Sequence, residues 1–401
     1  MLRLGPRRPA GDRPLPGAPP RPLRRRGPGG RGPPHGRGGG VNTAPGAPAY
    51  AVVIPTLGRP SLSAVLAALA TGTGPRPARV LLVDDRPPHD PAPLPVTVPA
   101  ELSGLVETVP GRGAGPAAAR NAGWRAAGEE WIAFLDDDVL PSSSWAEDLA
   151  GDLAAATPAT AGVQGRVFVP LPADRRPTDW ERGTAGLATA RWITADMAYR
   201  RSALEAVGGF DERFGRAFRE DADLALRLLD AGWTLDVGER RTAHPVRPAD
   251  RWVSLRAQAG NADDVLMTRL HGRDWWERAD APRGRLPRHA AITAAGLGAL
   301  AAALARRPRA AAGLGALWLA GTAEFALARI LPGPKTTEEI GRMLLTSPAI
   351  PPAAVGHWLA GRYRHRAARP RPPAAGPVPR PAKGVPETSV STAVTGQLAE
   401  S

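Results

Sequence analysis

Between residues 50 and 245 short apolar runs alternate with stretches whose apolar residues recur at helical spacing. Residues 50–54, 79–83, 105–109 and 131–135 are compact, mostly apolar and rich in β-branched or aromatic side chains. Five residues of that bulk predict buried strands, because a helix needs a longer periodic pattern. Helices are predicted from Ser61, over 117–127 and over 145–156. Strand, turn and helix in repeated order predict an α/β fold with a doubly wound, mostly parallel sheet flanked by helices. The pattern continues with a strand at 162–169, a Pro- and Arg-rich loop at 170–182 and an apolar run at 193–199 interrupted by Asp196. A helix over 200–207 stops at Gly208-Gly209, a helix over 218–229 opens on acids, and a strand spans 233–237.

The strand ends carry the chemistry. Residues 131–135 stop at Asp136-Asp137-Asp138, and residues 79–83 stop at Asp84-Asp85. Parallel strands bring such ends to one crevice, where open α/β sheets bind ligands. Adjacent carboxylates repel unless something positive lies between them. A hard divalent cation carrying a phosphorylated ligand meets that need, whereas a solvated acidic turn is the plain alternative. Glu220, Asp221 and Asp223 open the helix near 218 and exceed what a helix dipole requires, so one of them is a candidate proton acceptor. His244 stands in a polar loop, where a solvated side chain is the commoner outcome.

The glycines of Gly111-Arg112-Gly113-Ala114-Gly115-Pro116, between a strand and a helix, could cradle a dinucleotide pyrophosphate. Pro116 occupies the third glycine position when counting starts at Gly111, and three acids stand where that fingerprint needs one. A dinucleotide-dependent oxidoreductase is therefore the weaker reading.

Charge and composition bound the rest. Formal net charge is +14, but the first 48 residues hold ten Arg against the single acid Asp12. The remainder is only mildly basic, so nucleic acid is not an expected partner. Cysteine is absent, which excludes disulfides and thiolate metal sites. Residues 1–49 and 366–401 are rich in Pro, Gly, Arg or Ser/Thr without apolar period and are expected to be disordered. No apolar run of signal-peptide length follows the early arginines, so a cytoplasmic location is expected, at the inner face of the membrane. Residues 50–250 form the expected α/β domain and 251–285 a helical extension, including a helix over 252–270 interrupted near 260–264. Residues 286–365 carry an apolar helical pair, 290–305 and 310–327, with arginines at the turn and a membrane contact expected through 290–330.

Taken together, Val53-Ile54-Pro55-Thr56, Val83-Asp84-Asp85, Ala119-Arg120-Asn121-Ala122-Gly123, Phe134-Leu135-Asp136-Asp137-Asp138, Tyr199-Arg200-Arg201, Gly208-Gly209-Phe210-Asp211-Glu212 and Glu220-Asp221 resemble the family-two inverting glycosyltransferases with a GT-A fold. The resemblance covers about residues 50–245. It implies a nucleotide-diphosphate sugar donor, an acceptor hydroxyl and a manganese or magnesium ion. Pro55, Thr56, Arg59, Asp84, Asp85, Arg120, Asn121, Asp136 and Asp137 would then serve the nucleotide side. Asp138, Asp136 and His244 would hold the metal, and Asp221, with Glu220 beside it, would act in catalysis. Asp196 departs from the family, which often has Asn or a small polar residue there, and an acceptor-specific role follows as one reading. A lipid-linked or cell-envelope glycan is the acceptor class that a membrane contact would favour. The alternative is a membrane-associated protein that keeps the nucleotide pocket without catalysis.

Overall fold

The computed structural model describes residues 48–87 and 92–370. The arm expected over 1–49 lies outside these residues up to position 47, and the expected tail lies outside them from 371. The described residues build one sheet from β1 (Tyr50–Thr56), β2 (Arg79–Asp84), β3 (Val106–Pro110), β4 (Trp131–Leu135), β5 (Leu140–Pro141), β6 (Thr160–Phe168), β7 (Asp196–Arg200) and β8 (Thr234–Ala243). Their order is β3-β2-β1-β4-β7-β6-β8-β5. β3, β2, β1 and β4 are mutually parallel, and β6 pairs parallel with β8. β7 and β5 run the opposite way, which makes the sheet mixed beyond β4.

Burial on both faces explains the apolar strands. Val52 and Ile54 of β1 face one way, with Leu62, Val65 and Leu66 of α1 (Ser61–Thr71) and Trp145, Leu149 and Leu153 of a later helix, 145–155. Ala51 and Val53 face the other way. They meet α2 (Pro116–Ala126), and that same layer receives residues from the helices 201–207 and 220–230. The remaining helices of this domain are therefore α3 (Trp145–Ala155), α4 (Asp179–Ala185), α5 (Arg201–Val207) and α6 (Glu220–Asp230). A strand buried on both faces has no polar side to show, hence the continuous apolar runs. Gly123 lets α2 lie close on the sheet, since a Cβ there would collide with Val53 Cγ1.

Three local expectations change. The strand expected over 233–237 continues to Ala243, because β8 pairs with both β6 and β5. The segment 170–182, read as a loop, ends in α4, started by a capping box in which Thr178 and Glu181 satisfy each other's backbone. The helix expected over 252–270 breaks earlier than residues 260–264. It runs as α7 (Val253–Arg256), a 3₁₀ turn and α8 (Gly260–His271).

A short α9 (Trp275–Arg278) leads to α10 (Leu286–Leu304) and α11 (Pro308–Ile330), which pack as an antiparallel hairpin. The interface uses small residues: Gly296 lies against Trp318, and Gly321 against Ile292. The same region contains α12 (Thr337–Thr346) and α13 (Ile350–Arg364), and α13 packs on α8 and α10. At about 1.5 Å per residue α11 is roughly 34 Å long. Among the described residues it is the one helix long and apolar enough to cross a bilayer. Its C-terminal turn is held by protein instead, because Phe325, Ala326 and Arg329 are buried and Arg329 pairs with Asp179 at 2.8 Å. The outer part of the hairpin leaves Leu297, Leu300, Leu304, Leu317 and Leu319 exposed.

Candidate active site

The carboxyl ends of β1, β2 and β4 converge on a cleft of about 580 Å³. Pro55, Thr56, Arg59, Asp85, Arg120, Asp136 and Asp137 line it, together with the glycine loop 113–116 and Arg247. Asp137 is the buried anchor of the floor. It accepts hydrogen bonds from Thr56 Oγ1 and from Arg59 Nη1, each at 2.8 Å, which joins the end of β1 to the end of β4.

Asp84 and Asp85 separate. Asp84 turns to Arg86 at 2.6 Å, and the hydrogen bond from Arg86 holds its carboxyl below the ordinary range. Asp85 faces the cleft and accepts the backbone N–H groups of Gly115 at 2.9 Å and Ala114 at 3.2 Å. Burial pushes the Asp85 carboxyl up, and those N–H groups oppose the push. The glycine loop thus spends its donors on a protein carboxylate, which removes the geometric basis for a dinucleotide pyrophosphate there. Gly115 has φ +96, and a Cβ at that position would stand 2.5 Å from the Gly215 carbonyl oxygen.

Arg120 and Asn121, adjacent on α2, point to different tasks. Arg120 Nη2 donates to Asp136 at 2.9 Å and Nη1 to Glu220 at 2.7 Å. Burial works against its charge, yet Asp136 and Glu220 keep its pKa above the ordinary value. Asn121 donates to the Phe210 carbonyl and to Glu212, and its oxygen accepts from Phe210 N and the Trp124 indole. Both donors and the acceptor are taken within the protein, so Asn121 clamps the 208–212 turn to α2 instead of reaching the cleft.

Asp136, Asp138 and His244 each offer a ligand atom within 4.8 Å of the others. Among the described residues Asp138 Oδ1 is buried without a hydrogen-bond partner, 4.0 Å from His244 Nε2. His244 follows β8 directly and is buried, not solvated. Its Nδ1 lies 3.3 Å from the Pro245 carbonyl oxygen, which fixes which nitrogen faces Asp138. Two carboxylates and an imidazole, with an orphaned buried oxygen between them, fit a hard divalent cation. Arg247, which sequence reasoning missed, reaches the other Asp138 oxygen and approaches Asp137 at 3.5 Å. Burial disfavours its charge, and the Asp138 hydrogen bond raises its pKa regardless.

Asp221 lines a second cavity of about 1020 Å³, beside Phe218, Arg219, Trp276 and Arg283. Ala217 lines both cavities, so the two adjoin. Burial pushes the carboxyls of Glu220 and Asp221 up, and Arg120 opposes this for both. Glu220 is committed to Arg120, and its other oxygen has no partner among the described residues. The third acid of that turn, Asp223, is taken by Arg227 at 2.7 Å and His271 at 2.8 Å. Arg219 precedes them at φ +77, a conformation costly for a side chain with a Cβ. Its guanidinium lies over the rings of Phe218, Trp275 and Trp276 and donates to Asp264 at 2.9 Å.

Asp196 lies outside both cavities. It is fully buried and accepts from Arg240 Nε and the Trp145 indole, each at 2.8 Å, and from Thr242 Oγ1. Its carboxylate is engaged by those internal donors and lines neither cavity, so it does not face an acceptor there.

Residues 51–220 match the family model described as "Glycosyl transferase family 2". Over 170 residues the chain is 32% identical to the "Pre-mycofactocin glycosyltransferase" of two Mycobacterium tuberculosis strains, CDC 1551 / Oshkosh and ATCC 25618 / H37Rv. The match takes in 39% of this chain and 35% of the relative, so the chain spans about a third of the length of the curated relatives it matches. Among solved structures, a mannosyltransferase from Pyrobaculum calidifontis in complex with GDP-Man and Mn2+ superposes with TM-score 0.46 at 17% identity, covering 80% of this chain and 90% of that one. S. aureus TarS superposes with TM-score 0.36 at 14% identity, covering 79% and 55%.

Proposed function

We propose that this chain, whose residues 51–220 form a family-two glycosyltransferase domain, moves a sugar from a nucleotide-diphosphate donor to an acceptor hydroxyl with inversion at the anomeric carbon. The observation that carries the reading is the adjoining pair of cavities. One is lined by Thr56, Arg59, Asp85, Asp136 and Asp137 at the strand ends, and the other by Asp221.

In this reading the donor lies in the cleft at the ends of β1, β2 and β4, with Asp85 and Thr56 on its nucleotide side. Arg59 and Arg247 stand where the diphosphate charge would fall, while Asp136, Asp138 and His244 would hold manganese or magnesium. Such an ion supplies neutralisation of the charge that builds on a departing diphosphate. Asp221 takes the proton of the acceptor hydroxyl, which enters from the second cavity and attacks the face of the sugar opposite the leaving group. A carboxylate raised above its ordinary range is a stronger base for that step, and Asp221 is not among the metal-facing groups. Arg120 is a positioning residue, tying the metal-side Asp136 to the turn that presents Asp221.

The test is a panel of nucleotide-diphosphate sugars scored by thermal stabilisation with and without manganese, since ligand binding to the folded state raises apparent stability. A manganese-dependent rise with one donor class is expected, and no rise with any donor would overturn the reading. Manganese-dependent donor hydrolysis separates an enzyme from a protein that only binds the donor. The exposed leucines at 297, 300, 304, 317 and 319, beside Arg306, Arg307 and Arg309 at the hairpin turn, support contact with an anionic membrane surface. Flotation with anionic but not neutral vesicles tests that contact.

A further inference from the structure

A third cavity, of about 720 Å³, lies between α8, the start of α10 and α13. Arg269, Arg273, Arg283 and Arg362 line it with Trp276 and Trp358, and Asp264 is the one acid in its wall. That acid is already held by Arg219. Arg283 pairs with Glu277 at an exposed position, where solvent leaves such a pair weak. Arg362 lies over the Trp358 ring at 4.9 Å, which orients its planar fork without neutralising it. Arg269 and Arg273 form no ion pair with the described residues. Among the described residues the cavity therefore gathers four guanidinium groups, of which only Arg283 has an acid partner.

This cavity is not isolated from the chemistry. Trp276 and Arg283 line both it and the cavity that contains Asp221. Trp276 stacks on Trp275 at 3.8 Å and lies under the Arg219 guanidinium, so the wall shared by the two spaces is aromatic. A molecule presenting its hydroxyl to Asp221 would extend past Trp276 into the arginine-lined space. Guanidinium groups match phosphate oxygens with paired hydrogen bonds and do not lose their charge. None of the residues that line this third cavity lies within 51–220, so the site belongs to the helical region that follows the matched domain.

We propose that the third cavity binds a phosphate or diphosphate group of the acceptor, with Arg269, Arg273 and Arg362 as its donors. This rests on the glycosyltransferase reading for the role of Asp221, but the anion site itself can be tested alone. The phosphate has two possible sources. Leu286 and Pro287 at the rim begin α10, whose outer face exposes Leu297, Leu300 and Leu304, which would suit a lipid phosphate, whereas a soluble phosphorylated acceptor offers the same group.

The experiment compares the full chain with the double variant Arg269→Gln/Arg273→Gln, titrated in EDTA with hexyl phosphate, glycerol 3-phosphate and hexanol by calorimetry. At least one phosphate is expected to bind the wild-type chain and to lose about tenfold or more in affinity in the variant, as for charge-assisted hydrogen bonds, while hexanol does not bind. Stronger binding of hexyl phosphate assigns the lipid source, and stronger or equal binding of glycerol 3-phosphate the soluble one. Equal affinity in both proteins, or no phosphate binding at all, overturns the proposal. Manganese-dependent nucleotide binding, measured in parallel, is expected to be the same in both proteins. Its absence from the wild-type chain would bring down the glycosyltransferase reading and leave the anion result standing on its own.

Discussion

Arg120 on α2 and Glu220 at the start of α6 are 100 residues apart in the chain and 2.7 Å apart in space, both buried. The contact orients the turn on which Asp221 sits, and it occupies the acid that adjoins Asp221. Of the two acids expected to act in catalysis, Glu220 is thereby engaged in the fold, and Asp221 is the one that opens onto a cavity.

Asp221→Asn is expected to lower turnover by at least about a hundredfold with nucleotide binding nearly intact, the scale on which a positioned base acts. Because burial raises the Asp221 carboxyl, wild-type activity should fall with decreasing pH before an ordinary Asp would protonate. Steady-state kinetics across pH checks both. An unchanged rate in Asp221→Asn would remove this residue from the chemistry.

Asp138→Ala and His244→Ala are expected to weaken manganese-dependent nucleotide binding and leave metal-free binding little changed. Asp138 Oδ1 is a buried orphan that only a cation or a donor would satisfy. Calorimetry with and without EDTA reads the difference, and identical affinities would argue against this metal set.

Arg240→Met should cost about 3–5 kcal/mol, because it leaves Asp196 and Asp152 buried with a lost partner. Arg240 is itself fully buried and ties β8 to α3 and to the start of β7. The melting temperature should drop by on the order of 10 °C. The double change Asp196→Asn/Arg240→Met should recover part of that loss, which a thermal melt would show.

Asp263 is buried on α8 with one oxygen unpartnered among the described residues, and burial pushes its carboxyl up to about 6, against the opposing charge of Arg216. A raised carboxyl favours the protonated fold, so stability is fully present at low pH and declines as pH rises through about 6. Asp263→Asn should therefore raise the melting temperature at pH 8 and do little at pH 4. Equal shifts at both values would show that folding does not move the pKa of this carboxyl.

Much of this was legible from local pattern. The five-residue apolar runs end at Asp84 and Asp136, and because parallel strands share a direction their acidic ends share an edge; the hydrophobic period is enough to say so. Residue type also marked Asp138 and Asp221, since carboxylates in excess of what a turn or a helix dipole needs are costly unless something uses them.

Other choices were made by contacts between residues far apart in sequence. Asp84 and Asp85 are chemically alike, and only the packing of Arg86 and the glycine loop turns one away from the cleft and the other toward it. Asn121 and Asp196 read as ligand-facing polar groups within apolar stretches, yet one clamps Phe210 and the other pairs with Arg240. Periodicity tells which face of a helix or strand is buried. Whether a buried polar group meets a ligand or another side chain depends on what the fold carries to it, and for Asn121 and Asp196 those partners lie 89 and 44 residues away.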